Sequence, residues 1–75
     1  MTIKIFGQLN DIVESNLIQM NNVADTDELL QQLQLKYPDL INAKFKIAVN
    51  RSIIQSNTIL QQDAEIALLP PFSGG

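Results

Sequence analysis

The chain has 75 residues, enough for one small domain, and its lack of cysteine and histidine excludes disulfides and structural zinc sites of the usual Cys/His kinds. Thiol nucleophiles and imidazole bases are excluded for the same reason, while 45% hydrophobic and 17% charged residues indicate a folded globule. A net charge of −3 ill suits nucleic acid or an anionic membrane, and without a long apolar run or a signal pattern the expected address is the cytoplasm.

Ile3 and Ile5 alternate with Thr2, Lys4 and Phe6, which predicts a half-buried strand ended by Gly7. Leu9, Ile12 and Val13 stand at i, i+3 and i+4, enough for one or two helical turns. Residues 16–21, with Leu17, Ile18 and Met20, predict a second short strand. The main helix starts at Asp25, three residues before Glu28 in a capping-box spacing. Its apolar stripe runs through Leu29, Leu30, Leu33 and Tyr37, and Pro38 stops it. Asp25, Asp27 and Glu28 read as helix-start residues and Lys36 as a helix-end cation.

Lys44 to Asn50 alternates cleanly, with Phe45, Ile47 and Val49 on one side and Lys44, Lys46 and Ala48 on the other. A turn through Asn50 and Arg51 leads to a short strand at Ile53 and Ile54. The last strand covers Ala64 to Leu69, with Ile66 and Leu68 sharing a face and Glu65, Ala67 and Leu69 opposite. The predicted order is β–β–α–β–β–β, an α+β domain with a mixed sheet. One long helix covers one sheet face and leaves the other to water or a partner.

Four of the six glycines and prolines fall in the final hexapeptide, Pro70-Pro71-Phe72-Ser73-Gly74-Gly75. The prolines end the strand and stiffen an extended exit, and six extended residues reach roughly 20 Å, far enough to thread into another protein. Two glycines fit a narrow channel and leave the α-carboxylate of Gly75 as the reactive group. Adenylation by ATP would activate that carboxylate, and a sulfur nucleophile displacing AMP would leave a thiocarboxylate. A chain without cysteine could carry sulfur in that way.

Phe6 with the turn over residues 9–13, the run Ala48-Val49-Asn50, and the ending from Ala67 through Leu68, Leu69 and the hexapeptide resemble the MoaD family. These are the ubiquitin-like small, sulfur-carrier subunits of molybdopterin synthase, and the resemblance covers the whole chain. It implies a β-grasp fold over residues 1–69, with the first and last strands as central neighbours, and an extended flexible tail over residues 70–75. It also implies that a MoeB-like enzyme adenylates and sulfurates Gly75. The charged tail, threaded through Pro70, Pro71, Phe72, Ser73 and Gly74, would then enter a large MoaE-type subunit and give sulfur to cyclic pyranopterin monophosphate.

The implied assembly is a heterotetramer whose catalytic side chains lie on the large subunit. The carrier would bind no permanent cofactor and no metal, passing only through the glycyl-adenylate and the thiocarboxylate, and would not be an enzyme on its own. Readings that compete are a thiamine-type carrier, a ubiquitin-like modifier joined to target lysines, and a non-covalent interaction module with an inert tail.

Two positions depart from the family pattern. Asp63-Ala64-Glu65 stands where Gly-Asp-Glu is common, which asks for a left-handed Asp63, and Arg51 stands where glycine is common. The geometry of the turns at Asn50-Arg51 and Gln62-Asp63 is therefore left to the structure.

The pleat also places Phe6, Ala67 and Leu69 away from the helix, where with Phe72 they would form an apolar partner interface. Burying Leu69 or Phe72 there would contribute about 1.5–3 kcal/mol each before binding costs. Lys44 and Lys46 read as a solvated strand edge.

Overall fold

A computed structural model describes residues 1–71; Phe72, Ser73, Gly74 and Gly75 lie outside the described residues. The elements are β1 (Thr2–Ile5), α1 (Leu9–Val13), β2 (Leu17–Gln19), α2 (Thr26–Lys36), β3 (Lys46–Val49), β4 (Ser52–Ile53) and β5 (Glu65–Leu69). They form one mixed sheet in the order β2-β1-β5-β3-β4. β1 and β5 are parallel central neighbours, with Ile3 opposite Ile66 and Ile5 opposite Leu68, while the other pairs are antiparallel. This is the β-grasp arrangement. The expected alternation of faces holds in β1, β3 and β5, although several strands are shorter than their apolar patterns.

Ile3, Leu29, Leu33, Ile66 and Leu68 are fully buried, so α2 and the two central strands share one core. Leu40 joins them from a 3₁₀ turn, Pro38–Asn42, that the sequence pattern missed. Pro38 ends α2 as expected, but its fixed φ also suits the first position of a new helical turn. That turn carries Leu40 back beneath the sheet.

The start of α2 is held by residues from both sides. Asp25 is extended, and its side chain accepts the Glu28 N–H at 2.9 Å. The reciprocal Glu28 bond of a capping box does not form; Glu28 instead accepts from the Gln32 side chain at 3.4 Å. Asn57, from the β4–β5 connection, replaces it. Its Oδ1 accepts the Asp27 N–H at 2.8 Å, and its Nδ2 donates to Asp25 at 3.2 Å. The Thr26 N–H goes to Thr58 O at 2.9 Å, and its buried hydroxyl accepts the Thr58 N–H at the same distance. With the Leu29 N–H on Asp25 O, the first turn has no orphan donor.

The Glu28 amide, and secondarily Asn57, hold the Asp25 carboxyl below its ordinary value of 3.8. A lowered folded pKa contributes stability above the unfolded value, and that contribution is lost as pH falls through the folded one. Asn57→Ala is expected to cost about 1 kcal/mol at neutral pH. It should also lessen the acid-dependent part of the loss by letting the Asp25 pKa rise. Urea midpoints measured from neutral pH into the acid range check both; an undiminished acid loss would show that Asn57 does not act on Asp25.

The two open turns differ. Asn50 and Arg51 both take positive φ, 50° and 72°, which gives the two-residue β3–β4 hairpin a type I′ character. Asp63 does not adopt the left-handed conformation expected of it; among the described residues the non-glycine positive φ values fall at Glu14, Asn22, Asn50 and Arg51. A hydrogen bond from Ala64 N to Gln61 O at 3.1 Å closes that turn with an ordinary backbone, so glycine is not required there.

Candidate functional site

β5 is flanked by β1 and β3, so the chain leaves the sheet from its centre. Gly7 follows β1 with φ +64°, and a Cβ on it would lie 2.5 Å from Cγ of Pro70. The Pro70 ring therefore rests on a surface that only glycine leaves open. Pro71 lines a groove on the helix side with Leu30, Ile41, Phe45 and Ile54. The first two tail residues are thus half-buried against the body, and the chain's exit is aimed by packing. Gly75, expected from the sequence to be the reactive residue, lies outside the described residues, as do Ser73, Gly74 and Phe72, the last expected at the interface.

On the sheet face opposite α2, Phe6, Ala67 and Leu69 come together along one shallow groove of about 310 Å³. Phe6 is 44% exposed, while Ala67 and Leu69 are half-buried. Strand register explains why they meet. Lys4 pairs with both Leu17 and Ala67, and Ala67 pairs with Ala48, which pairs with Ile53. Residues directly opposite across a ladder share a face. A row therefore crosses all five strands on the open side, and its outer members Leu17 and Ile53 are each about half exposed.

Sequence reasoning missed Leu17 and Ile53. A two-residue strand has too little alternation to assign a face, and Ile53 and Ile54 look equivalent until the partner register is known. Ile54 packs on the core and Ile53 does not.

The groove has charged walls. Glu65 lies 3.7 Å from Lys4 Nζ and 3.8 Å from Arg51 Nε. Lys46, paired in register with Leu69, stands on the same face. Asn50 ties the hairpin to the start of β5, since its N–H donates to Glu65 O at 2.7 Å and its side-chain oxygen accepts the Glu65 N–H at 2.9 Å. The arrangement is an apolar surface with a charged edge beside a strand exit. Among the described residues no group of three or more His, Cys, Asp or Glu is placed to hold a metal ion, and no helix is long and apolar enough to cross a membrane.

A model described as the ThiS family matches residues 3–75. Over 60 residues, 77% of this chain, the sequence is 35% identical to the molybdopterin synthase sulfur carrier subunit of Mycobacterium tuberculosis, covering 72% of that protein. It is 32% identical to the protein of the same name from Arabidopsis thaliana, again over 77% of this chain but only 62% of the relative. Among solved structures, the protein–protein complex of subunits 1 and 2 of molybdopterin-converting factor from Helicobacter pylori contains a similar chain. Its TM-score is 0.74 at 28% identity, over 99% of this chain and 96% of that one. The crystal structure of SAMP1 from Haloferax volcanii has the same TM-score at 21% identity, over 99% and 97% of the two chains, a likeness of fold.

Proposed function

This chain belongs to the ThiS family, and from that premise we propose that it is the sulfur carrier subunit of a molybdopterin synthase. The reading rests on the likeness to proteins of that name and on a family match that extends over residues 3–75, the Pro-Pro-Phe-Ser-Gly-Gly segment included. The main-chain carboxyl of Gly75 is the working group. Its oxygen attacks the α-phosphorus of ATP with loss of pyrophosphate, and the resulting acyl-adenylate is open to a sulfur nucleophile. Displacement of AMP leaves a thiocarboxylate, which is anionic and nucleophilic at neutral pH. That sulfur passes to cyclic pyranopterin monophosphate inside a large subunit.

The body of the domain has two tasks in this scheme. Packing of Pro70 on Gly7 aims the tail, and the groove lined by Phe6, Ala67 and Leu69 receives the partner. A neighbour solved as a complex of two subunits of molybdopterin-converting factor supports a large-subunit partner. Adenylation falls to a MoeB-like enzyme, and the side-chain catalysis to the partners. The carrier holds no permanent cofactor.

Intact mass after incubation with the activating enzyme, ATP and a sulfur donor tests this. One oxygen should be replaced by sulfur at Gly75, and the charged protein should form molybdopterin when mixed with the large subunit and its substrate. An unchanged mass under those conditions would overturn any carrier reading. Isopeptide conjugates to lysine would transfer the chain to the modifier class, and charging without molybdopterin formation would favour a different thio-product.

A further inference from the structure

We infer that Arg51 is a partner-recognition residue, and that the partner surface docking on the open sheet face has an apolar centre with a carboxylate set opposite Arg51. The inference rests on the carrier reading above and extends it to a residue and a charge.

Its first support is backbone conformation. Arg51 lies at φ 72°, in the second left-handed position of the β3–β4 turn. Glycine occupies such a position without steric cost, whereas an arginine is strained there. The first left-handed position holds Asn50, which tolerates that region and makes two backbone hydrogen bonds with Glu65. Arg51 makes no comparable repayment inside the domain. Its side chain is 86% exposed, and its one ion pair among the described residues, to Glu65 at 3.8 Å, is shared with Lys4. Exposed pairs of that kind contribute little to folding. A strained residue with no return in stability points to a role outside the folded chain.

The second support is where the charge stands. The chain carries −3 overall, with five basic residues in all. Three of those five, Lys4, Lys46 and Arg51, are on or at the edge of the open face, and among the described residues that line the groove Glu65 alone carries a carboxylate. Between them lie Phe6, Ala67, Leu69 and the exposed Ile53. An apolar floor with a cationic edge fits a protein surface with acidic groups around an apolar patch. Edge charges of this sort act mainly on the association rate and its salt dependence.

The test uses the large subunit encoded in the same genome, with association followed by stopped flow or surface plasmon resonance at several salt concentrations. Arg51→Gly should melt at or above the wild-type temperature, because the strained position is relieved. Its association rate at low salt should fall about 3–10-fold, and the salt dependence should flatten. Arg51→Lys should keep both the rate and the salt slope. Binding of Arg51→Gly at the wild-type rate and slope would overturn this inference and leave the carrier reading intact. Failure of the wild-type chain to bind the large subunit would overturn this inference, and the carrier reading would fall with it only if Gly75 also took up no sulfur.

Discussion

A chain lengthened by one residue beyond Gly75 is expected to fold like the native protein and to form no molybdopterin. The chemistry proposed for the tail needs a free main-chain carboxyl, and an appended residue converts that of Gly75 into a peptide carbonyl. An amide is no substitute, because it offers no anionic oxygen to attack ATP. A carboxylate one residue further on would overshoot a site built for the native length by about 3.5 Å. Misplacement by 1 Å can already cost about 100-fold in rate. The loss should therefore be complete within detection, with the melting temperature unchanged because the core of β1, β5 and α2 is untouched. Molybdopterin formation by the lengthened chain would defeat the thiocarboxylate mechanism.

The second large effect lies at Gly7. Gly7→Ala introduces two separate penalties, a left-handed φ of +64° and a Cβ placed 2.5 Å from the Pro70 ring. The first costs about 1–2 kcal/mol, and overpacking typically adds about 1–3 kcal/mol. A loss of at least about 2 kcal/mol lowers the melting temperature of a domain this size by about 10 °C. Because the proline ring has to move, the exit of the tail is redirected as well. Affinity for the large subunit should thus drop even at temperatures where the variant is fully folded. Adding Pro70→Ala should recover the overpacking share and leave the backbone share, a non-additivity that a double-mutant cycle reads directly. Strict additivity would mean that Pro70 does not rest on Gly7.

Much of this was legible in the chain itself. Alternation at Ile3 and Ile5, at Ile47 and Val49, and at Ile66 and Leu68 identified the buried face of three strands, because side-chain period in a strand is a local property. Asp25 announced the helix start, and Pro38 its end. The orientation of Phe6, Ala67 and Leu69 away from α2 followed from the same pleat. The prolines and glycines clustered after β5 are the sequence feature behind the chemistry proposed for the tail.

Other features depend on partners far along the chain. The 3₁₀ turn that buries Leu40 follows a residue, Pro38, whose local meaning is only that a helix stops. Asn57 completes the cap of a helix some thirty residues earlier, so no window around either one contains the bond. Asp63 was expected to be left-handed because its place is often held by glycine, yet the turn closes through Gln61 and Ala64 without it.

By itself, then, the sequence determined the strands and the two α-helices, the inner and outer faces of β1, β3 and β5, and the absence of thiol and imidazole chemistry. Only the tertiary structure decided which strands are neighbours and in what register. That register gathers Leu17, Lys4, Ala67, Ala48 and Ile53 into one row, seats Pro70 on Gly7, and turns Arg51 toward Glu65 at the edge of the open sheet face. The reason is physical: periodicity and turn preference act over a few residues, whereas ladder register is set by hydrogen bonds and burial between segments whose separation in sequence leaves no local trace.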